Sequence, residues 1–251
     1  MFRRRWISGF TLVEALVVVA VLGTVLAMVL PAVGYVRSQA LGVACASNLR
    51  QIGSATVMYH GDHNGRYWRY YVDESEGRNW WFGFEPGGPS SQTHRPLQKE
   101  HGALSAYLTE SDAGLLCPEF PYDDADYFEK FAEPAASYGY NMKLGPTNPR
   151  MRPASQHQIG GRAGRVVTFA DAVHFDFGAT FNEGHYMWPT PGANQPSGYA
   201  HFRHRGEAQM LMADGSVERQ SPQGPLYPRS PGDWPVGNLK SPDGSLSLYE
   251  P

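Results

Sequence analysis

The sequence predicts an α+β fold, and three observations carry that prediction. An apolar run from Ala15 to Val36 holds 22 residues without a charge. Apolar residues then recur at intervals of three and four, at Leu41, Cys45, Leu49, Ile52, Thr56 and Tyr59, which is one face of a helix. Near the C-terminal end two short apolar runs, Arg165–Asp171 and Glu207–Asp214, each close on an aspartate and read as strands.

The first element is the apolar run. As a helix its 22 residues would cover about 33 Å, the thickness of a bilayer core. Arg3, Arg4 and Arg5 precede it, and only Arg37 and Arg50 follow in the next twenty residues. The positive-inside bias therefore predicts a single pass, with the N-terminus in the cytoplasm and the remaining chain across the membrane. An ordinary signal peptide cut near Ala32-Val33-Gly34 would have a shorter apolar stretch and no glutamate near its start. A lipoprotein signal ending at Cys45 would need an aliphatic residue leading Gly42-Val43-Ala44, and Cys45 lies well beyond the run. Glu14 is the unusual residue, because a carboxylate at the edge of a span is costly without a partner.

The second element is the amphipathic helix, with a stop at Gly61-Asp62-His63-Asn64-Gly65. Beyond it, Tyr67, Trp68, Tyr70, Tyr71, Trp80, Trp81 and Phe82 form an aromatic stretch, read as packing, with a carbohydrate-stacking surface as the alternative. Gly87–Ser91 is a loop, 101–109 a short helix, and Leu115–Pro118 the end of a buried strand. A Gly- and Pro-rich loop is expected from Phe177 to about Arg203, then a hairpin turning at Asp214-Gly215 into Ser216-Val217-Glu218. Seven prolines between Ser221 and Pro251 predict irregular structure there. The resulting segments are 1–9, 10–36 (span), 37–61 (amphipathic helix), 62–220 (exported α+β domain) and 221–251 (tail).

Bulk chemistry excludes several classes. A net charge of -3 with 18% charged residues is too mild for a nucleic-acid binder, so no such partner is expected. The sequence has no GxSxG, Walker A, HExxH or kinase motif. Gly160–Gly164 is glycine-rich, but a strand follows it where a phosphate-cradling loop would open a helix. His201-x-x-His204 with Asp171 and His174 has metal-ligand residue types, yet reads as surface histidines. Asp62-x-Asn64-Gly65 lacks the distal glutamate of a calcium loop. If the two aspartate-ended strands are neighbours, Asp171 and Asp214 would meet as calcium ligands; otherwise no cofactor is expected. Cys45 and Cys117 are the two cysteines, enough for one bridge in an oxidising compartment, or for two separate buried thiols.

Two sets of residues carry a resemblance. Gly9-Phe10-Thr11-Leu12-Val13-Glu14 before an apolar helix resembles the type III signal of type IV pilins and type II secretion pseudopilins. The resemblance implies cleavage by a prepilin peptidase after Gly9, N-methylation of Phe10, and pairing of Glu14 with the terminal amine of a neighbouring subunit. Cleavage would create that cation four residues from the carboxylate. Ala15 departs from the leucine usual after the glutamate, and Pro31 falls where many such helices carry a proline.

Further on, His204 and Asp214-Gly215, nine residues apart, resemble the His-x9-Asp-Gly element of a large group of bacterial prepilin-type proteins. Cys45–Gly53, Cys117-Pro118 and Ser137-Tyr138-Gly139-Tyr140-Asn141 fit the same group, so the likeness runs from Gly9 to about Glu218. It implies a pilin-like fold, one long helix whose second half packs on a mainly antiparallel sheet. It also implies a non-enzymatic subunit in the inner membrane whose domain lies in the periplasm or an extracellular filament. Its partners would be the membrane, the peptidase and like subunits.

From the residues alone, seven extended positions between His204 and Asp214 cover about 23 Å. The two side chains are therefore expected to act separately, Asp214-Gly215 in a turn and His204 in packing. A membrane-anchored binding module for glycan or another surface ligand is the rival reading, and an envelope enzyme with a His/Asp site is the second.

Overall fold

Helix formation starts where the apolar run starts and ends where the glycines do. In the computed structural model, α1 runs from Leu12 to Asp62 without a break, through Pro31. The structure describes residues 11–89, 93–108, 112–175, 180–187, 199–222, 236–237 and 239. The chain divides into two units, Met1–Ala40 and Leu41–Pro251.

In the first unit every residue from 11 to 37 is exposed, and the exposed positions include sixteen large apolar side chains from Leu12 to Val36. This helix is long and apolar enough to cross a membrane. Its internal polar residue Thr24 donates its hydroxyl to the Val21 carbonyl at 2.8 Å, so the group needs no water.

In the second unit, the rest of α1 buries Gly42, Cys45, Leu49, Ile52, Ala55 and Thr56, the face that the spacing predicts. Two sheets share this unit. One is an antiparallel three-stranded sheet of β1 (Tyr71–Glu74), β2 (Gly77–Trp80) and β3 (Gly83–Pro86). The larger, mixed sheet centres on β5 (Val167–Phe175). The first half of β5 pairs antiparallel with β4 (Tyr138–Asn141) and with β9 (Ala208–Met212), which continues into β10 (Val217–Gln220). Its second half pairs antiparallel with β6 (Phe181–Glu183) and β8 (Tyr199–His201). The two-residue β7 (Tyr186–Met187) lies parallel to β4. The four-residue helix α2 (Gln156–Ile159) opens on a capping box between Ser155 and Gln158.

Because β5 is buried on both faces, it reads as a nearly continuous apolar run. One face joins Phe169 and Val173 to Cys45, Leu49, Ile52 and the aromatic core of Trp68, Trp81 and Tyr140. The other packs Val167, Ala170 and Ala172 against Phe202, Met210 and Leu239. The helix is also tied to the sheets by polar contacts. Gln209 donates to the Gly42 carbonyl at 2.7 Å, and Asn48 donates to the Leu116 carbonyl at 2.8 Å. At Gly53 the Leu211 side chain comes within 3.0 Å of where a Cβ would stand, so α1 can lie close to β9.

The aromatics pack as the sequence reading has it: Tyr67, Trp68, Tyr70, Trp80, Trp81 and Phe82 are all buried. Other expectations are corrected. Strand β5 does not end at Asp171 but continues to Phe175. The expected loop from 177 to 203 contains β6, β7 and β8, which pair along β5 and β4. Gly184 makes this possible, since a Cβ there would stand 2.5 Å from the Val173 nitrogen. The helix expected over 101–109 is two 3-10 turns, Lys99–His101 and Ser105–Tyr107. Gly102, between them, is extended and packs against the Phe82–Gly83 backbone.

Leu115 closes a 3-10 turn rather than a strand. Cys117 follows in irregular backbone held by Ser137, whose hydroxyl accepts the Cys117 N–H at 2.6 Å, and Pro118 has no N–H for a ladder. In the tail, Val236–Gly237 form β11 and pair with β8, and Leu239 is buried.

Cys45 and Cys117 are bonded, with an S–S distance of 2.22 Å and 72 residues of sequence separation. Both are wholly buried. Closing a loop of that length contributes about 4 kcal/mol on the chain-entropy argument. Urea unfolding of the full chain in detergent, with and without a reductant, is expected to show a loss of that size.

Candidate functional site

Two places combine charged side chains with positions singled out by the sequence. The first is the start of α1. Gly9 and Phe10 lie outside the described residues. Thr11 precedes the first helical residue, and its N–H and hydroxyl both donate to Glu14 Oε2, at 2.8 and 2.7 Å. The Glu14 N–H is 3.3 Å from Thr11 Oγ1. This is a capping box: residue and carboxylate satisfy each other's otherwise unpaired groups, and the negative charge sits at the positive end of the helix. The carboxylate is thereby turned back toward the N-terminus of the chain. The signal was legible as Thr-x-x-Glu, but sequence reasoning passed over it.

The second place lies beneath the disulfide and is built on Asp171. This residue is in the middle of β5, opposite Tyr138, and has no exposed surface. Its Oδ1 accepts from Arg203 Nε at 3.1 Å and Nη2 at 2.7 Å. Its Oδ2 accepts the Gln209 N–H at 2.7 Å and lies 3.0 Å from His204 Nε2. Burial pushes the Asp171 carboxyl up, but Arg203, His204 and the Gln209 N–H outweigh it and hold it down at about 2. Arg203 continues through Nη2 to the Ser137 carbonyl at 2.7 Å, and its guanidinium stands 5.0 Å from the Phe120 ring centre.

His204 faces a carboxylate at each ring nitrogen, Asp171 at Nε2 and Glu119 at Nδ1. Cys117 Sγ is 3.5 Å from Nε2.

The reading of His201 and His204 as surface histidines is therefore wrong, since their exposures are 3% and 4%. Burial and the neighbouring Arg203 hold His201 well below the usual histidine range, as a neutral ring. His174 lies elsewhere on β5, its ring 6.2 Å from that of Tyr186. Glu119, Arg203 and Gln209 were missed. They are scattered in sequence and meet only because β5 and β9 are adjacent.

The nine residues between His204 and Asp214 have a plain structural meaning. Arg205 and Gly206 both have positive φ, 58° and 85°, forming a tight turn closed by bonds between His204 and Glu207. Strand β9 follows, and then a second turn. There Gly215 (φ 87°) donates to the Met212 carbonyl, and Asp214 Oδ1 accepts the Ser216 N–H and hydroxyl at 2.9 and 2.7 Å. His204 and Asp214 thus stand at opposite ends of one strand.

Asp171 and Asp214 do not meet either. β5 and β9 are neighbours, but they are antiparallel, so Asp171 binds the N–H of Gln209 at one end and Asp214 shapes the turn at the other. The calcium expectation rested on adjacent strand ends and loses its premise.

Other titratable groups are buried in the second unit. His60 has no hydrogen-bond partner at either ring nitrogen, and burial, with His63 nearby, lowers it to about 4. His185 is held well below its usual range by burial, with Nδ1 2.9 Å from the Ala136 carbonyl. His60, His185 and His201 must be neutral in the fold, whereas the unfolded rings titrate near 6.5. Stability is therefore full above about pH 6.5 and falls as pH drops below it, by up to about 1.4 kcal/mol per pH unit for each ring.

Urea midpoints from pH 8 to pH 5 are expected to fall, and His60→Phe is expected to flatten the slope by up to one proton. Asp171 adds a separate acid limb, because its contribution is present above its ordinary value and is lost as pH falls toward about 2. Asp171→Asn leaves Arg203 buried without its counter-charge and is expected to cost about 3–5 kcal/mol, read from the same unfolding curves.

Comparison with family models, with curated proteins and with solved structures finds no match to this chain.

Proposed function

We propose that this chain is a prepilin-type envelope protein, a pilin- or pseudopilin-like subunit of a type II secretion or type IV pilus-like assembly. The observation that carries the reading is the start of α1. An apolar helix exposed on every side opens on Thr11 and Glu14, with the carboxylate held against the Thr11 N–H. Phe10 is the next residue toward the N-terminus. Cleavage after Gly9 would put a new ammonium group there, one residue from the groups that already hold Glu14. In hydrocarbon an unpaired carboxylate is costly, so an amine supplied by a like subunit would be a strong determinant of assembly. The domain from Leu41 onward would be displayed across the membrane, where an oxidising compartment suits the Cys45–Cys117 bond.

The rival reading as a glycan-binding module drew on the aromatic stretch and on the Gly- and Pro-rich loop after Phe177; Tyr67, Trp68, Tyr70, Trp80, Trp81 and Phe82 are buried in the core, and 188–198 of the loop lie outside the described residues. The rival His/Asp enzyme drew on His204 and Asp214, which stand at opposite ends of β9.

Expression with a prepilin peptidase, followed by mass analysis of the mature N-terminus, is expected to find a chain beginning at N-methylated Phe10. A chain beginning at Gly34 or Cys45 would overturn the proposal. Glu14→Val is expected to insert and be cleaved normally, yet to fail to crosslink with like subunits in the membrane.

A further inference from the structure

The cluster under the disulfide contains more donors than a structural ion pair requires. Cys45 Sγ, Cys117 Sγ and a His204 ring nitrogen lie within 4.8 Å of one another, all on buried residues. Asp171 Oδ2 is 3.0 Å from His204 Nε2. Two sulfurs and one imidazole nitrogen thus converge from α1, the segment after the 112–115 turn and the β8–β9 connection, while the Asp171 carboxylate on β5 faces the histidine.

In the bonded state the sulfurs carry no charge and hold no cation. As thiolates they would join His204 in a set of two sulfur donors and one nitrogen donor, of the kind that binds zinc with a solvent molecule as the fourth ligand. Glu119 adds the expected support, because its carboxylate faces His204 Nδ1. A histidine that donates from Nδ1 to a carboxylate presents the Nε2 lone pair to a metal, here on the side of the sulfurs. The Glu119 side chain is 18% exposed and marks the side of the cluster nearest solvent, whereas Cys45, Cys117 and Asp171 have no exposed surface.

We propose that, when Cys45 and Cys117 are thiols, they bind one cation of the Zn²⁺ class together with His204, with a solvent molecule in the fourth position. Disulfide and metal are then alternative states of one site. Binding releases one proton from each thiol, and His204 binds through a ring nitrogen that carries none. Going from the metal state to the bonded state requires a protein disulfide as oxidant. That disulfide takes two electrons from the sulfurs and two protons from solvent to become two thiols. The cation leaves. Arg203 stays on Asp171 Oδ1 in both states and offsets part of the negative charge. This inference concerns residues 45–204 and does not depend on the prepilin reading.

The test uses the full chain in detergent, reduced with a phosphine under inert gas and titrated with Co²⁺. The expected result is one Co²⁺ per chain, with a thiolate-to-cobalt charge-transfer band and the d–d bands of a tetrahedral site. Zn²⁺ should displace it and protect both cysteines from alkylation, and the oxidised chain should bind none. Glu119→Gln is expected to weaken binding by about 10- to 100-fold with the tetrahedral bands retained.

His204→Ala, first shown to keep a cooperative thermal transition in its oxidised form, is expected to lose the wild-type spectrum. Absence of stoichiometric binding by the reduced chain would overturn the proposal, and so would an unchanged spectrum and affinity in His204→Ala. If His204→Ala does not fold, unchanged affinity in Glu119→Gln overturns it instead.

Discussion

A carboxylate with no exposed surface, in the middle of the central strand, sets the terms for the domain around it. Asp171 accepts three hydrogen bonds and lies 3.0 Å from His204 Nε2, and a carboxylate can be ionised in a core only where such groups surround it. Arg203 and His204 meet that demand, and each is then fixed by its own further partners. Arg203 reaches Ser137, the residue that also holds Cys117, and His204 reaches Glu119. Gln209, whose N–H binds Asp171, uses its side chain to hold the Gly42 carbonyl of α1. A single buried charge therefore connects the central strand, the disulfide loop, the β8–β9 connection and the helix. Apolar packing alone would leave the relative placement of these parts less specific.

The two units handle polar groups by opposite means. In the first, Thr24 and the Thr11–Glu14 box satisfy their hydrogen bonds within a turn of the helix, which is what a segment facing hydrocarbon requires. In the second, polar side chains are paired over long sequence separations, as in Asn48 with Leu116 and Gln209 with Gly42. The helix α1 belongs to both regimes, and the change falls near Leu41, where burial on one face begins. The proposed sorting and assembly role would draw on the first regime.

The His-x9-Asp-Gly element looks like one motif in sequence and works as two devices in space. The histidine end enters the buried charge cluster, while the Asp-Gly end makes a surface turn. Between them lies one five-residue strand with a turn at each end, and that geometry sets the spacing. The histidine is also the member of the pair that lies beside the two sulfurs.

Sequence by itself determined the apolar helix, its amphipathic continuation, its stop near Gly61 and the Asp-Gly hairpin. Each of these follows from local rules: periodicity along a helix, the permissive φ of glycine, and the length that hydrocarbon demands. The Thr11–Glu14 box was open to the same local reading, since its hydrogen bonds lie within one turn of the chain.

Only the tertiary structure decided the rest. Asp171 reads as the end of a strand because an isolated charge does not belong in a core, yet pairing with Arg203 and His204 lets β5 run on to Phe175. His201 and His204 read as surface residues because nothing nearby in sequence covers them; β5 and the disulfide loop do so in space. Antiparallel pairing of β5 with β9 placed Asp171 and Asp214 at opposite ends, and strand direction is a non-local choice that residue patterns in either strand do not encode.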